Sequence, residues 1–349
     1  MSPFPLPAAP PLAAIFGLAG LTLTGAERSF FQRVRPLGYI LFARNVADPV
    51  QVAALVTDLR GLVPDFAPLI LIDQEGGRVQ RLRPPAWRSA PAMAPFGKLY
   101  AKDRAEAAST LRLNMQLIGQ ELASLGIDVD CAPVMDVPVA GAHDIIGDRA
   151  FSNDPKVVAA LAPVACEGLI AAGVVPVIKH IPGHGRARAD SHKELPVVDA
   201  DLPALRASDF VPFAAFPKWG LPAFAMTAHV VYSAIDRARP ATNSPVVIRE
   251  IIRGELGFDG LLMSDDLCMR ALAGPYKERA AAALEAGCDA VLHCDGNLAD
   301  MEAVAVGCGP LGSNGQRALA AVAAIRGRPK GEISKITGAT AVAEALARG

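Results

Sequence analysis

The sequence has neither the charge nor the aromatic content that is typical of proteins that bind large charged partners. Its 34 Lys and Arg residues nearly balance 35 Asp and Glu residues, so the formal net charge is −1. Aromatic residues make up only 5% of the chain. A nucleic-acid surface is usually basic, and single strands stack on aromatic side chains. We therefore expect no nucleic acid and no anionic membrane as a partner.

The N-terminal segment lacks the features of a secretion signal and of a membrane span. No Lys or Arg precedes its apolar run, whereas a secretory signal begins with basic residues. The run from Pro11 to Leu23 is interrupted by Gly17 and Gly20, and it is shorter than the ~20 residues that a span needs. We expect a soluble, cytoplasmic protein.

Cysteine pairs and nucleotide-binding motifs are also missing. The six cysteines show no CxxC pair and no zinc-like clustering, which is typical of buried thiols in a reducing compartment. They are Cys131, Cys166, Cys268, Cys288, Cys294 and Cys308. The glycines at Gly76-Gly77 and at Gly183 and Gly185 belong to neither a GxGxxG nor a P-loop pattern, and the chain has no GxSxG elbow. We therefore expect no metal and no cofactor.

Eight short apolar segments, each followed by a polar or Gly-rich loop, predict parallel strands that are covered on both faces. They are Leu12–Leu18, Gly38–Ala43, Ala67–Ile72, Ile127–Val134, Val174–Ile178, Ala223–Ala228, Gly260–Met263 and Ala290–His293. Amphipathic helices are predicted between them at Pro49–Leu62, Arg104–Leu125, Pro155–Ala172, Pro245–Leu256 and Lys277–Ala286. Eight such units indicate the α/β class and a single (β/α)8 TIM-type barrel. An open doubly wound sheet, which normally needs fewer strands, is the alternative.

The length of 349 residues would allow two domains or one large barrel. No Gly/Ser linker, charge block or repeat of fixed period divides the chain. We therefore expect one domain over residues 1–349, with a short N-terminal extension at 1–10 and C-terminal helices at about 297–349.

Polar residues follow five of the predicted strands, where a barrel gathers its catalytic groups. These positions are Asp73–Leu82, Asp136 with Gly147–Arg149, Lys179–His192, Thr227–His229 and Ser264–Leu267. A single carboxylate at a strand end is often only a helix cap. Five such ends together predict a functional site, in which the Asp265-Asp266 pair is the best candidate for a nucleophile.

The loop after the fifth predicted strand contains His180, His184, His192 and Asp190. His and Asp are metal ligands, but their spacing here falls in a Gly/Pro-containing loop rather than on one helical face. A Ser-His-Asp triad would use Ser191, although members of a triad are rarely adjacent in sequence. A third possibility is a histidine that a carboxylate orients as general acid and base. Plain loop hydrogen bonds are the structural alternative.

Four motifs, taken in order, resemble those of glycoside hydrolase family 3. They are Asp73-Gln-Glu-Gly-Gly-Arg-Val-Gln-Arg81, Gly147-Asp-Arg149, Lys179-His-Ile-Pro-Gly-His-Gly with Asp190-Ser-His192, and Ser264-Asp-Asp-Leu267. Leu41–Asn45 fits as well, and the resemblance runs from roughly Leu12 to beyond Gly296. Within the family, the chain is similar to bacterial single-domain β-N-acetylglucosaminidases of cell-wall recycling.

This resemblance implies a retaining mechanism with a covalent glycosyl-enzyme. Asp265 would be the nucleophile, and His192, partnered by Asp190, would be the acid and base. The implied sugar-binding residues are Asp73, Arg81, Arg149, Lys179 and His180. The implied substrate is a small muropeptide (GlcNAc-anhydroMurNAc with or without peptide) or a chitooligosaccharide-like molecule, and no obligate protein partner is implied.

The chain departs from the family pattern in two places. Arg186-Ala-Arg-Ala189 is more basic than usual, which would favour anionic muropeptides unless both arginines are simply solvated. About 50 residues follow the last predicted strand, too few for the second domain of larger family members. Two other interpretations remain open: a metal-dependent barrel hydrolase that uses His180, His184, His192 and Asp265, and a barrel that binds sugar without cleaving it.

Overall fold

Eight parallel strands close into a barrel in the computed structural model, which describes residues 9–326 and 333–349. Each strand pairs with its neighbours in chain order, and the last pairs with the first. The strands are β1 (Leu12–Phe16), β2 (Pro36–Leu41), β3 (Leu69–Ile72), β4 (Val129–Asp130), β5 (Val175–Ile181), β6 (Phe224–Thr227), β7 (Leu262–Asp266) and β8 (Ala290–His293). The predicted (β/α)8 barrel is therefore confirmed.

Helices follow most strands and cover the barrel. They are α1 (Gly25–Val34), α2 (Pro49–Arg60), α3 (Ala94–Lys102), α4 (Arg104–Ser124), α5 (Pro155–Ala171), α6 (Leu202–Ala207), α7 (Phe210–Ala215), α8 (Tyr276–Ala286), α9 (Leu298–Gly307), α10 (Ser313–Arg326) and α11 (Lys335–Arg348). None of those that lie in the described residues is long and apolar enough to cross a membrane.

Local sequence explains where several helices begin. Asp48 and Asp154 each accept backbone hydrogen bonds at a helix start, and a proline follows each of them as the first helical residue. Thr24 and Glu27 form a reciprocal capping box at the start of α1. These three loops, which follow the carboxyl ends of strands, therefore have defined exits into their helices.

Strand ends differ from the sequence prediction in a way that matters for the site. β5 and β7 run further than predicted, so that Lys179, His180 and Asp265 lie inside strands rather than after them. These polar residues still take part in the ladder, as in the pairing of Lys179 with Met226. β4 is shorter than predicted, although backbone hydrogen bonds continue beyond it: the amide of Cys131 donates to the carbonyl oxygen of Ile72 at 2.8 Å.

The predicted helix Pro245–Leu256 is present as a π-helix over Val247–Glu255. Its wider turn is visible where the amide of Leu256 donates to the carbonyl oxygen of Ile251, five residues earlier. Apart from residues 9 and 10, the predicted N-terminal extension lies outside the described residues. The division into one domain stays a prediction.

Candidate active site

A cavity of about 380 Å³ opens at the carboxyl ends of the barrel strands. Seven of the eight predicted site residues line it: Asp73, Arg81, Arg149, Lys179, His180, His192 and Asp265. The eighth, Asp190, contacts His192 and is not part of the wall. The barrel thus brings together groups that are up to 192 positions apart in sequence.

Lys179 joins two carboxylates at the floor of the cavity. Its Nζ lies 3.0 Å from Oδ1 of Asp73 and 2.6 Å from Oε1 of Glu75, and the lysine side chain is only 2% exposed. Burial alone would lower the pKa of Lys179, but the two carboxylates raise it above its ordinary value. The lysine therefore stays charged and fixes both carboxylates.

Two arginines complete this ion-pair network. Arg149 forms a bidentate pair with Glu75, with Nε–Oε2 and Nη2–Oε1 distances of 2.8 Å. Arg81 places Nη2 3.1 Å from Oδ2 of Asp73. Burial would raise the pKa of Glu75, but Arg149 and Lys179 together lower it to about 2. Four of the five predicted sugar-binding residues, Asp73, Arg81, Arg149 and Lys179, are therefore joined with Glu75 in one preorganised network, and His180 lies outside it.

Asp136 organises the beginning of the loop after β5. Its Oδ1 accepts hydrogen bonds from the amides of His180 (3.2 Å) and His184 (2.6 Å), and its Oδ2 lies 2.7 Å from Nδ1 of His180. Nε2 of His184 lies 3.2 Å from Oγ of Ser191, and burial lowers the pKa of His184 to about 4. His184 is therefore neutral and supports the loop.

His192 and Asp190 form the predicted pair. Nδ1 of His192 lies 2.9 Å from Oδ1 of Asp190, which also accepts the backbone amide of His192 at 2.9 Å. Partial burial works against ionisation, but these donors hold the pKa of Asp190 below its ordinary value. The His192 side chain is 63% exposed. Because Nδ1 is engaged, Nε2 is the nitrogen available to a molecule in the cavity.

Asp265 lies in the cavity wall near the end of β7. Burial alone would raise its pKa, but His180, His229 and the amide of Asp266 hold the pKa below its ordinary value. His229 is itself fixed by Oγ1 of Thr242 at 2.7 Å and by the carbonyl oxygen of Asp266 at 3.0 Å. Asp265 is thus an ionised carboxylate with few competing donors, as a nucleophile requires.

The basic stretch in the loop after β5 has a structural role that the sequence does not reveal. Arg186 donates from Nε to Oδ2 of the fully buried Asp209 at 2.6 Å, whereas Arg188 is exposed. Gly183, with φ of +136°, lies so close to Asp209 that a Cβ at this glycine would be 3.0 Å from Cβ of Asp209. The expectation that both arginines are either solvated or anion-binding is therefore wrong for Arg186.

Several functional neighbours were not predicted as site residues. Glu75 lies two positions after Asp73, and the period of an extended chain would have placed both on one face. Asp136 and His229 follow strands, so their positions at the mouth were expected, but their partners come from distant segments. Asp209 has no local sequence feature that predicts its pairing with Arg186.

The metal-dependent interpretation needs His180, His184, His192 and Asp265 to share one ion. Within residues 9–326 and 333–349, these four do not form a group whose ligand atoms are all within 4.8 Å of one another. Instead, His180 and His184 are held by Asp136, and His192 by Asp190. The geometry of the described residues therefore does not support one ion shared by these four side chains.

Comparison with known proteins decides the family. The model of the glycosyl hydrolase family 3 N-terminal domain matches residues 28–311. The chain belongs to glycosyl hydrolase family 3. It is 44% identical over 283 residues to the beta-hexosaminidase of Methylococcus capsulatus, covering 80% of this chain and 82% of that protein. A similar enzyme of Alkalilimnicola ehrlichii is 44% identical over 284 residues, covering 80% of each chain.

Solved structures of family 3 members agree with this assignment. NagZ from Neisseria gonorrhoeae, solved with N-trifluoroacetyl-D-glucosamine, has a TM-score of 0.84 at 32% identity and covers 98% of this chain and 99% of its own. A family 3 β-N-acetylglucosaminidase from a Paenibacillus species has a TM-score of 0.79 at 33% identity, covering 96% of this chain and 60% of its own. This protein is accordingly a glycoside hydrolase of the β-N-acetylhexosaminidase type that acts on a small glycoside.

Proposed function

We propose that this family 3 enzyme is a cytoplasmic, retaining exo-β-N-acetylglucosaminidase. It would remove the non-reducing GlcNAc from muropeptides, GlcNAc-anhydroMurNAc with or without peptide, during peptidoglycan recycling. The observation that carries the proposal is the placement of ionised Asp265 and the Asp190-held His192 on one cavity. The cavity volume of about 380 Å³ lies in the range of small-molecule sites.

In the first step, a carboxylate oxygen of Asp265 attacks the anomeric carbon while the bond to the leaving oxygen breaks. His192, protonated on both ring nitrogens, gives the proton on Nε2 to that oxygen. Asp190 accepts the hydrogen bond from Nδ1 and stabilises the charged imidazole before transfer. The aglycone leaves as a neutral alcohol, and the sugar is esterified to Asp265.

In the second step, the now neutral His192 takes a proton from water through Nε2 as the water oxygen attacks the anomeric carbon. The ester bond breaks, and Asp265 returns to a carboxylate. Two displacements at the same carbon restore the original anomeric configuration. Retaining glycosidases usually use two carboxylates, so a histidine in the acid and base role is the distinguishing feature here.

The ion-pair network at the floor supplies the groups for sugar recognition. Asp73 keeps acceptor oxygens near Arg81 and Lys179, and these cations donate to hydroxyls or to the acetamido carbonyl. Because Lys179 and Glu75 are almost fully buried, the donors are oriented before the substrate arrives. Selectivity for the N-acetyl sugar would follow from this fixed geometry.

The decisive experiment compares release of an aryl alcohol from an aryl N-acetyl-β-glucosaminide with release from the matching β-glucoside. We expect turnover of the N-acetyl compound, with the β-anomer of GlcNAc as the first product by proton NMR. The assays are run without phosphate and repeated with it, because phosphate would trap a glycosyl phosphate if it were the acceptor. Preference for the β-glucoside, or an α-anomer as first product, would contradict the proposal.

A natural substrate assay tests the finer part of the proposal. GlcNAc-anhydroMurNAc with and without its peptide is compared with a chitooligosaccharide at equal concentration, and free GlcNAc is measured. We expect a higher kcat/KM for the muropeptides. Equal or better cleavage of the chitooligosaccharide would leave the enzyme class intact but refute the role in peptidoglycan recycling.

A further inference from the structure

Three side chains with metal-ligating atoms lie together at the ends of β7 and β8, outside the sugar-binding network. The sulfur of Cys268, a ring nitrogen of His293 and a carboxylate oxygen of Asp295 are all within 4.8 Å of one another. In the part of the chain that the structure describes, no other group of three or more His, Cys, Asp or Glu side chains meets this criterion. The cluster is therefore distinct from the catalytic pair.

His293 is the unusual member of this cluster. Its side chain is fully buried, yet neither ring nitrogen has a hydrogen-bond partner among residues 9–326 and 333–349. A buried polar group without a partner costs roughly 1–3 kcal/mol, so such groups are rare, and binding of an ion is one way to compensate that cost. Tyr276 packs edge-on against the ring, with centroids 5.0 Å apart, and fixes its orientation.

The spacing of the ligand atoms fits one shared ion better than a hydrogen bond. Nδ1 of His293 and Oδ1 of Asp295 are 3.6 Å apart, which is too far for a good hydrogen bond. Metal–ligand bonds of about 2.0–2.3 Å in a tetrahedral site place two ligand atoms about 3.3–3.8 Å apart. The pair therefore already has the separation of two ligands of one tetrahedral ion.

The donor set defines the class of ion. A thiolate sulfur, an imidazole nitrogen and a carboxylate oxygen are borderline-soft ligands that suit Zn²⁺ and similar transition ions, whereas Ca²⁺ and Mg²⁺ take oxygen ligands. Asp295 and Cys268 are partly exposed, so an ion has a path from solvent. We propose that Cys268, His293 and Asp295 form a binding site for a divalent transition metal ion of the Zn²⁺ class.

The proposed metal site is connected to the sugar cavity through Asp266. Oδ1 of Asp266 accepts the amides of Cys268 (3.0 Å) and Cys294 (3.1 Å), and Asp266 directly follows Asp265. An ion on Cys268 would therefore sit behind the wall that carries Asp265, without using any sugar-binding group. When it binds, the Cys268 thiol gives its proton to solvent and ligates as thiolate.

The test uses Co²⁺, because a cobalt–thiolate bond gives a charge-transfer band in the near ultraviolet that ligation by nitrogen or oxygen does not give. Chelator-treated, reduced full-length protein is titrated with Co²⁺ alone, and Zn²⁺ is then added. We expect one Co²⁺ per chain with a thiolate band, which Zn²⁺ abolishes. Absence of the thiolate band in the unaltered protein would overturn the proposal.

Variants assign the band to named side chains. Cys268→Ser should abolish the band, and Asp295→Asn should weaken Co²⁺ binding by about tenfold or more. Cys308→Ser, which removes another partly exposed thiol, is the matched control and should leave the band unchanged. A band that persists in Cys268→Ser would refute the site, and its loss in Cys294→Ser instead would place the ion at the sugar cavity, whose wall includes Cys294.

A His293→Gln variant is expected to lower Co²⁺ affinity about 100-fold, and its thermal unfolding shows whether the buried position tolerates the change. If it does not fold, Asp295→Asn decides the matter, because that side chain is partly exposed. Metal binding is read by absorption rather than turnover, so the result is independent of the proposed glycosidase activity. Binding of Co²⁺ that excess N-acetylglucosamine displaces would again indicate the sugar cavity and overturn the proposal.

Discussion

The two ends of the barrel carry cavities of similar size and opposite character. At the carboxyl ends of the strands the wall is mostly carboxylates, basic side chains and histidines. At the amino ends, a cavity of about 480 Å³ is lined mainly by apolar residues such as Phe216, Phe224 and Phe258. Strands β5 and β6 contribute to both cavities, so the difference comes from the residues at each end of the strands and in the adjoining loops. Size alone therefore does not identify an active site; paired, preorganised charges do.

The largest effect on activity is expected in the polar cavity at the carboxyl ends of the strands. Asp265→Ala should reduce kcat/KM on the aryl N-acetyl-β-glucosaminide by at least about a thousandfold, because the covalent step loses its nucleophile. Added azide should restore part of the activity of this variant by attacking in place of the carboxylate. Turnover within tenfold of the unaltered enzyme would refute the nucleophile assignment.

Loss of Lys179 should cost the most stability. Lys179→Met leaves Asp73 and Glu75 buried without their shared cation, so we expect the free energy of unfolding to fall by about 3–5 kcal/mol. Arg206→Ala is the control, since it breaks only an exposed ion pair with Glu255 and should hardly change the free energy of unfolding. Denaturant unfolding measures both, and equal losses would show that burial of the network is energetically unimportant.

His192→Ala should act selectively. We expect kcat/KM to fall about 100-fold or more for aglycones that leave poorly, and much less for activated aryl groups that need no proton. A series of aryl N-acetyl-β-glucosaminides with graded leaving-group pKa measures this slope. Asp190→Asn should show a smaller change in the same direction. An equal loss across the series would argue against His192 as the acid.

A buried acid beside the mouth should give a distinctive pH dependence of stability. Burial raises the pKa of Asp209 to about 6 against the lowering effect of Arg186, with Asp136 adding to the rise. The folded state then binds a proton more tightly than the unfolded state, so stability should fall as pH rises from about 4 to 6. We expect this titration of Asp209 to change the free energy of unfolding by about 1–3 kcal/mol over that pH range.

Asp209→Asn isolates this contribution. The variant should lack the fall between pH 4 and 6 in chemical denaturation, and the difference between the two proteins is the quantity to measure. Glu75, whose pKa is lowered to about 2, acts in the opposite direction, because its stabilisation is lost as pH falls below about 4.5. The effect of Glu75 is the same in the unaltered protein and in Asp209→Asn, so it cancels in the difference between their stability curves. Parallel curves would contradict the role of Asp209.

The smallest effect on stability is expected beside the apolar cavity at the amino ends of the strands. Asn314→Ala removes hydrogen bonds from Nδ2 to the carboxylate of Asp289 at 2.9 and 3.1 Å. We expect a loss of about 1 kcal/mol in the free energy of unfolding and no change in kcat. A clear change in kcat would show that the two ends of the barrel are coupled.

The barrel could be predicted because its strands are continuous apolar runs, and burial on both faces requires them to be so. The location of the site followed, because the carboxyl ends of parallel strands converge. The sequence does not predict which side chains pair with one another around the cavity. The residues of the Glu75–Arg149 pair are 74 positions apart, and those of the Arg186–Asp209 pair are 23 positions apart. No local sequence pattern encodes which loops meet. The His293 cluster was missed for the same reason.

The cavity wall carries four carboxylates and four Lys or Arg side chains, so its charges nearly cancel. They are Asp73, Glu75, Asp265 and Asp266 against Arg78, Arg81, Arg149 and Lys179. Such a mouth creates little long-range field, and the diffusional approach of a sugar is neither accelerated nor slowed by its charge. Capture should therefore depend weakly on ionic strength, for neutral and anionic aglycones alike. The enzyme therefore distinguishes one substrate from another only after the sugar has entered the cavity.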